Sequence, residues 1–333
     1  MKKIINIFKF LIFLSAGLFL FWLIYKDQDV DVLMDALHNI NYYWMAIALT
    51  AGVLSHILRA VRWQMMVKPF GYSPSFLNAF FAVISTYFAN LAVPRLGEIT
   101  RPSILRKYEN IPFSISFGTI VLERILDVLI LLILTVILVL TQTHIFVAFI
   151  DGNPIVSEKF EQLKASNLPY IISVLIIGSF VTLYFLWPKI KRTDIYIKFS
   201  HLIEQFLDGI KSVSKIEHKA IFFVYTFLIW FMYFLMTYLP VFALKSTENI
   251  NILGGLAFFV IGSYGMVIPV QGGIGAWHFM VAGTLVVIGI NDQDARVFAL
   301  IVHTAQTIMI VVLGIISTAL LPVINQKKAI NKE

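Results

Sequence analysis

FSISFGTIVLERILDVLILLILTVILVL, residues Phe113–Leu140, decides the fold class. The run is continuous rather than alternating, and it exceeds the roughly 20 residues of helix needed to cross about 30 Å of hydrocarbon. In lipid only a helix or a closed barrel satisfies its own backbone, and a barrel strand would alternate. Working outward, comparable runs cover Ile4–Tyr25, Tyr42–Leu58, Pro169–Trp187, Ala220–Leu244 and Ala295–Val323. Two further apolar stretches are interrupted. Phe76–Val93 stops at Pro94 and gives way to a short polar piece, Arg95–Lys107. Leu253–Ile268 leads into Pro269–Gly275 and then an apolar helix over Ala276–Ile290. The sequence predicts an all-α, polytopic integral membrane bundle: about six spanning helices plus two re-entrant hairpins, forming one transmembrane domain over 1–333.

Composition agrees. Hydrophobic residues make up 59% of the 333 residues and charged ones 14%, against about half and a quarter in a soluble domain. No sizeable soluble domain is expected. The sequence has no cysteine, which excludes disulfides, thiolate metal sites and cysteine nucleophiles. A net charge of +7 is read as basic cytoplasmic loops facing anionic lipid rather than as a nucleic-acid surface. Lys2, Lys3 and Lys9 precede the first apolar run without a small-x-small cleavage site, so that run is read as an uncleaved span.

Charge also assigns sides. With a cytoplasmic N-terminus, three basic groups fall inside, provided both interrupted stretches return to the face they left. They are Arg59 to Lys107, the Lys189–Lys219 segment and the C-terminal Lys327, Lys328 and Lys332. Outside remain Lys26, Lys159, Lys164, Lys245 and Arg296 among many acids. This positive-inside pattern requires re-entrant hairpins and places both termini in the cytoplasm of a cell-membrane (inner-membrane) protein. The two halves, about 1–145 and 165–325, then read span, span, hairpin, span in opposite orientations, the layout of an inverted repeat. The alternative is two ordinary broken helices.

Four constellations could carry chemistry. In Asn90-Leu-Ala-Val-Pro94-Arg95-Leu-Gly97-Glu98-Ile-Thr-Arg101, proline and glycine free backbone groups, which at membrane depth is tolerated only inside protein or beside a water-filled cavity. Glu98 and Arg101, three apart, could share a helix face and pair, or could be interfacial charges. Glu123, Arg124 and Asp127 lie inside an apolar span, where charges are costly and usually face a bundle interior. Arg124 is three residues from Asp127 and can neutralise it. A plain structural ion pair is the competing reading. Tyr264, then Gln271-Gly272-Gly273-Ile-Gly275 and His278, place bare N–H groups ahead of a helix, which favours an anion such as a lipid phosphate. Glycine is also frequent where membrane helices pack closely. Arg59 and Arg62-Trp63 read on spacing as interfacial anchors. His56 and His303 read as lone packed histidines, and no cluster has metal-ligand spacing. Nucleophile-elbow, Walker and His-Glu-x-x-His signatures are missing, so no cofactor is expected.

In order, Arg59-x-x-Arg62-Trp63, Asn90-x-x-x-Pro94-x-x-Gly97-Glu98-x-x-Arg101, Glu123-Arg124-x-x-Asp127 and Pro269-x-Gln271-Gly272-Gly273-Ile-Gly275 resemble the lysylphosphatidylglycerol synthase transmembrane region family, also described as the flippase-like UPF0104 family. The resemblance implies a flippase-like membrane domain with two re-entrant hairpins that acts on lipids. Aminoacyl-lipid members add a soluble domain that attaches the amino acid. None lies within these 333 residues, so synthase activity is not expected. The family's second motif carries an acidic residue on the following helix. Here Gln271 precedes the glycines and His278 sits near the acidic position, which points to a different substrate or a pH-dependent charge.

The resulting expectation is a translocase for a phospholipid or related anionic or lipid-linked substrate. Its binding residues would be Arg59, Arg62, Asn90, Glu98, Arg101, Glu123, Arg124, Asp127, Tyr264, Gln271, Gly272, Gly273 and His278. The alternatives are a membrane enzyme or accessory subunit of lipid or polyprenyl-glycan metabolism. A homo-oligomer or an envelope-biosynthesis partner is the possible assembly.

Overall fold

A computed structural model describes residues 15, 17–151 and 216–330. The expected span Pro169–Trp187, the loop before it, most of the basic segment after it and most of the first span lie outside the described residues. Among the described residues all regular elements are helical. They are α1 (17–25), α2 (Val30–Asn39), α3 (Tyr42–Val67), α4 (Phe76–Ala92), α5 (Gly97–Glu109), α6 (Phe113–Asp151), α7 (Lys219–Tyr238), α8 (Ile252–Val267), α9 (Ala276–Val287) and α10 (Asp292–Ile330).

Among the described residues, four segments are long and apolar enough to cross a membrane: Tyr42–Phe70, Phe113–Thr143, Lys219–Ala243 and Asp292–Gln326. Helix α6 shows how such a helix divides its surface. Ile125, Val128, Leu129, Leu132, Ile133, Val136, Ile137 and Leu140 are exposed on one side, whereas Ile120, Glu123, Leu131 and Leu138 are buried on another. The exposed set recurs at three and four residues and the buried set at three, seven and eight, all spacings of one helix face. An exposed apolar face of this length marks contact with lipid. The helix bends at Gln142, which leaves helical geometry and donates from its amide to the Leu253 carbonyl at 2.6 Å.

The acidic stretch after the first span forms α2, capped by Asp29, whose carboxylate accepts from the Asp31 N–H at 2.8 Å. Ten residues make about 15 Å of helix, too short to span. It lays Val32, Leu33 and Ala36 on the core and leaves Val30, Met34 and Leu37 exposed.

The interrupted stretches form two tight helical pairs. Helix α4 has 17 residues and α8 has 16, about 25 Å each, short of the full hydrocarbon thickness. Glycine sets the closeness of both pairs. A Cβ at Gly97 would strike the Thr86 carbonyl of α4, and one at Gly265 would strike the backbone of Trp277 on α9. The turn between α4 and α5 places Arg95 at φ 63°, a left-handed conformation uncommon for any residue but glycine.

Packing between the two sequence halves is reciprocal. Helix α4 of the first half packs on α10 of the second, α8 of the second packs on α6 of the first, and α3 packs along α7. Close approach of α3 relies on Gly52, where a Cβ would meet Met236 and Met309. The two helical pairs also meet at their tips, where Leu91 lies against Gly272.

One polar node holds the base of the first pair. Asn78 and Asn325 exchange hydrogen bonds at 2.9 and 2.8 Å, and Asn78 also donates to Glu109, which accepts from Ser75 as well. Asn325→Leu leaves a buried Asn78 carbonyl unsatisfied, a cost of about 1–3 kcal/mol. A lowered melting temperature of the detergent-solubilised protein checks this, and an unchanged one would show that the node is dispensable. At the surface, Lys68 lies 2.7 Å from Glu217 and holds that carboxyl below its ordinary pKa. Both groups are exposed, and such a pair contributes little to stability.

Candidate functional site

Helix α6 brings Glu123 inward on its buried face. Three guanidiniums from two other helices converge on it. Arg101 of α5 lies 2.5 Å from Oε2, Arg62 of α3 lies 3.3 Å from Oε1, and Arg59 of α3 lies 3.9 Å from Oε1. One turn along α6, Asp127 receives both terminal nitrogens of Arg59, at 3.1 and 3.2 Å. This two-pronged geometry is the strong form of a guanidinium–carboxylate contact. Arg124 reaches Asp127 at 3.4 Å from the rim, its own side chain 38% exposed.

Neutral groups fix the arginines further. Arg62 donates to Thr226 of α7 at 3.1 Å and Arg59 Nε to the Tyr233 hydroxyl at 3.0 Å. Tyr87 and Tyr233 share a hydrogen bond at 3.1 Å. Arg101 lies over the indole of Trp63, 4.9 Å from its centroid, and Trp63 Nε1 donates to Thr119 at 2.9 Å. The arginine is thus held by a charge on one side and a ring on another.

This arrangement revises several expectations. Arg59 and Arg62-Trp63 are not interfacial anchors. Helix α3 continues past Leu58 to Val67, and all three side chains are buried. Arg101 does not pair with Glu98: the buried stripe of α5 is Gly97, Arg101, Pro102 and Leu105. Glu98 lies off that stripe, half-exposed, with no hydrogen bond or ion pair of its side chain among the described residues. Arg124 does reach Asp127, as three-residue spacing predicts, but Arg59 makes the closer contact. Asn90 acts locally, accepting the Gly97 N–H at 2.7 Å and so capping α5 from the preceding helix.

The glycine-rich turn forms a separate centre. Gly272, Gly273 and Gly275 all have positive φ, a conformation glycine adopts without strain. Their missing side chains admit neighbours: Leu91 at Gly272, Met266 at Gly273, and the α1 backbone at Gly275. The turn therefore packs against protein on several sides. Gln271 is buried in it. His278 Nδ1 accepts the Gly275 N–H at 3.2 Å, and Phe21 and Tyr25 of α1 lie edge-on to its ring. His303 is not alone, since its ring centroid lies 4.5 Å from that of His278 and its Nε2 donates to the Gly272 carbonyl at 2.9 Å. Tyr264 is removed from this group and shares a 2.7 Å hydrogen bond with Thr135 of α6. His56 lies against Tyr87 beside the arginine cluster, with ring centroids 4.6 Å apart and the planes tilted by 46°.

Thr226, Tyr87 and Tyr233 were not singled out by the sequence. The available signal was weak: polar groups within apolar runs, with Thr226 and Tyr233 seven residues apart and hence on one helix face.

Residues 6–314 match the family model described as "Lysylphosphatidylglycerol synthase TM region". The chain belongs to that family. Among curated proteins, a UPF0104 membrane protein of Methanocaldococcus jannaschii is 34% identical over 109 residues, 32% of each chain. A UPF0104 membrane protein of Methanothermobacter thermautotrophicus is 26% identical over 117 residues, 34% of this chain and 33% of that one. The matched region thus spans about a third of the length of these relatives. No solved structure matches. Family membership and the apolar helices make this a multi-pass membrane protein.

Proposed function

We propose that this protein moves an anionic phospholipid or related lipid between the two leaflets of the cell membrane, with both termini in the cytoplasm. The observation that carries the reading is the buried arginine cluster, built from α3, α5 and α6 of the first half and α7 of the second. Arg62 Nε and Arg101 Nε and Nη2 are buried there without a hydrogen-bond partner among the described residues. Buried N–H groups are normally satisfied, and guanidiniums suit phosphate.

In this proposal α4–α5 and α8–α9 are re-entrant hairpins of an inverted repeat, with halves about 1–145 and 165–325 in a single transmembrane domain. The short helices, the tip-to-tip contact and the reciprocal packing support it. Transporters of this layout bind near the midplane and expose the site alternately. The head group would sit among Arg59, Arg62, Arg101 and Arg124, with Glu123 and Asp127 holding those arginines in place. The glycine turn would serve as a packing joint. Asn90 would set the α5 start, and Glu98 would face the path of entry. Tyr264, Gln271 and His278 would shape the second hairpin.

The test is a leaflet-resolved assay with fluorescent lipid in reconstituted vesicles. Wild-type protein is expected to speed lipid movement over empty vesicles. Arg101→Gln removes charge-assisted bonds of about 1.5–3 kcal/mol and should slow movement by roughly tenfold or more. A wild-type rate equal to that of empty vesicles, across anionic lipids, would end the proposal.

A further inference from the structure

We infer that the head group this site takes is a phosphate monoester without a cationic substituent, and that the site discriminates against aminoacylated lipids. The inference rests on the translocase reading and narrows its substrate.

Both carboxylates of the cluster are already engaged by arginines. Glu123 Oε1 faces Arg62 and Arg59, and Oε2 faces Arg101. Asp127 Oδ1 takes Arg59, and Oδ2 takes Arg59 and Arg124. Each oxygen of the two carboxylates already faces at least one guanidinium, so an incoming ammonium group would have to compete with an arginine. The donors are in surplus instead. Arg59, Arg62, Arg101 and Arg124 bring four positive charges and Glu123 and Asp127 two negative ones, so the cluster carries a formal +2.

The unused donors have a definite geometry. Nε and Nη2 form one side of the Arg101 guanidinium, a pair of parallel N–H groups matched to two oxygens of one oxyanion. Both are buried and unpartnered among the described residues, and so is Arg62 Nε. Arg62 and Arg101 grip the two oxygens of the same Glu123 carboxylate, so their guanidiniums stand side by side. The Trp63 ring and Thr226 fix their orientation.

Charge then selects the occupant. A phosphate monoester carries between one and a half and two negative charges near neutral pH, because its second pKa is about 6. It offsets most or all of the surplus. A diester carries one charge and leaves one guanidinium uncompensated. An aminoacylated diester adds an ammonium where Glu123 and Asp127 already hold arginines and the surplus is already positive, and an uncompensated charge in a buried site is costly.

The full-length protein in detergent tests this by native mass spectrometry with phosphatidic acid, phosphatidylglycerol and lysylphosphatidylglycerol, and with inorganic phosphate as competitor. Phosphatidic acid is expected to be held at least tenfold more tightly than phosphatidylglycerol, and lysylphosphatidylglycerol most weakly. Arg101→Lys keeps the charge but loses the paired N–H edge, and it should reduce the preference for phosphatidic acid to under threefold while the protein still folds. Equal retention of phosphatidylglycerol or lysylphosphatidylglycerol would overturn this inference and leave translocation intact. Displacement of phosphatidic acid by inorganic phosphate at equal concentration would overturn it in favour of a soluble anion. Failure to retain any of the lipids, together with no leaflet movement, would remove both.

Discussion

Glu123→Gln should lower the unfolding midpoint of the purified protein by on the order of 5–10 °C. Glu123 is fully buried and carries the contacts of Arg101, Arg62 and Arg59. Neutralising it leaves Arg101 and Arg62 without a carboxylate contact among the described residues, and Arg59 with Asp127 alone. Removing one partner of a buried pair costs about 3–5 kcal/mol, because the remaining charge stays desolvated. Each kcal/mol moves a melting point by about 2–4 °C in domains of 150–250 residues, and by less in larger ones. Glutamine keeps the shape and can still accept a hydrogen bond, so a loss of this size reports charge. The double change Glu123→Gln with Arg62→Met should be milder than the two single losses added together, since it removes donor and acceptor together. Coupling of that kind is what a double-mutant cycle isolates. A Glu123→Gln protein that melts like wild type would show that the cluster is not held by this carboxylate.

Gly97→Ala separates two opposed effects by sign. Gly97 opens α5, and helix propensity alone would credit alanine with up to about 1 kcal/mol. The tertiary contact predicts the reverse. The new methyl would strike the Thr86 carbonyl oxygen and carbon, and this is backbone that cannot swing aside. Overpacking of this kind costs about 1–3 kcal/mol. Separating α4 from α5 would also pull the Gly97 N–H from Asn90 and move Arg101 relative to Glu123. A lower melting temperature together with slower lipid movement is therefore expected. Gly71→Ala, at a turn where a Cβ would meet nothing within 4 Å, is a contrasting case. Its positive φ of 81° strains alanine locally without disturbing the cluster, so it should leave lipid movement unchanged. A Gly97→Ala protein at least as stable as wild type would show that the two helices can part without cost.

Much of this was legible in the sequence, for a simple reason. Hydropathy is local, so runs such as Phe113–Leu140 announce membrane helices without reference to the rest of the chain. The same holds for the breaks at Pro94 and Pro269–Gly275, where proline and glycine act on their own backbone. Glu123 and Asp127 also stood out, because a carboxylate inside an apolar run needs a partner wherever the helix is placed.

Which partner was a tertiary decision. Sequence spacing sees only residues three or four apart on one helix, so it offered Glu98 to Arg101 and Arg124 to Asp127. In the folded protein Glu123 takes Arg101, and Arg59 becomes the closest neighbour of Asp127. The end of the α3 span was misjudged for a related reason. An arginine after an apolar run resembles an interfacial anchor until another helix supplies a carboxylate, and only then can the run continue through it. His278 and His303, 25 positions apart in the chain, likewise meet only because α9 folds back onto α10. The sequence alone determined which described segments form apolar helices and where two of them break, because solvation and backbone geometry act residue by residue. The tertiary structure alone decided which buried charges meet and which N–H groups stay unclaimed among the described residues, because in a low-dielectric interior a charge is stabilised by whatever packing brings within a few ångströms.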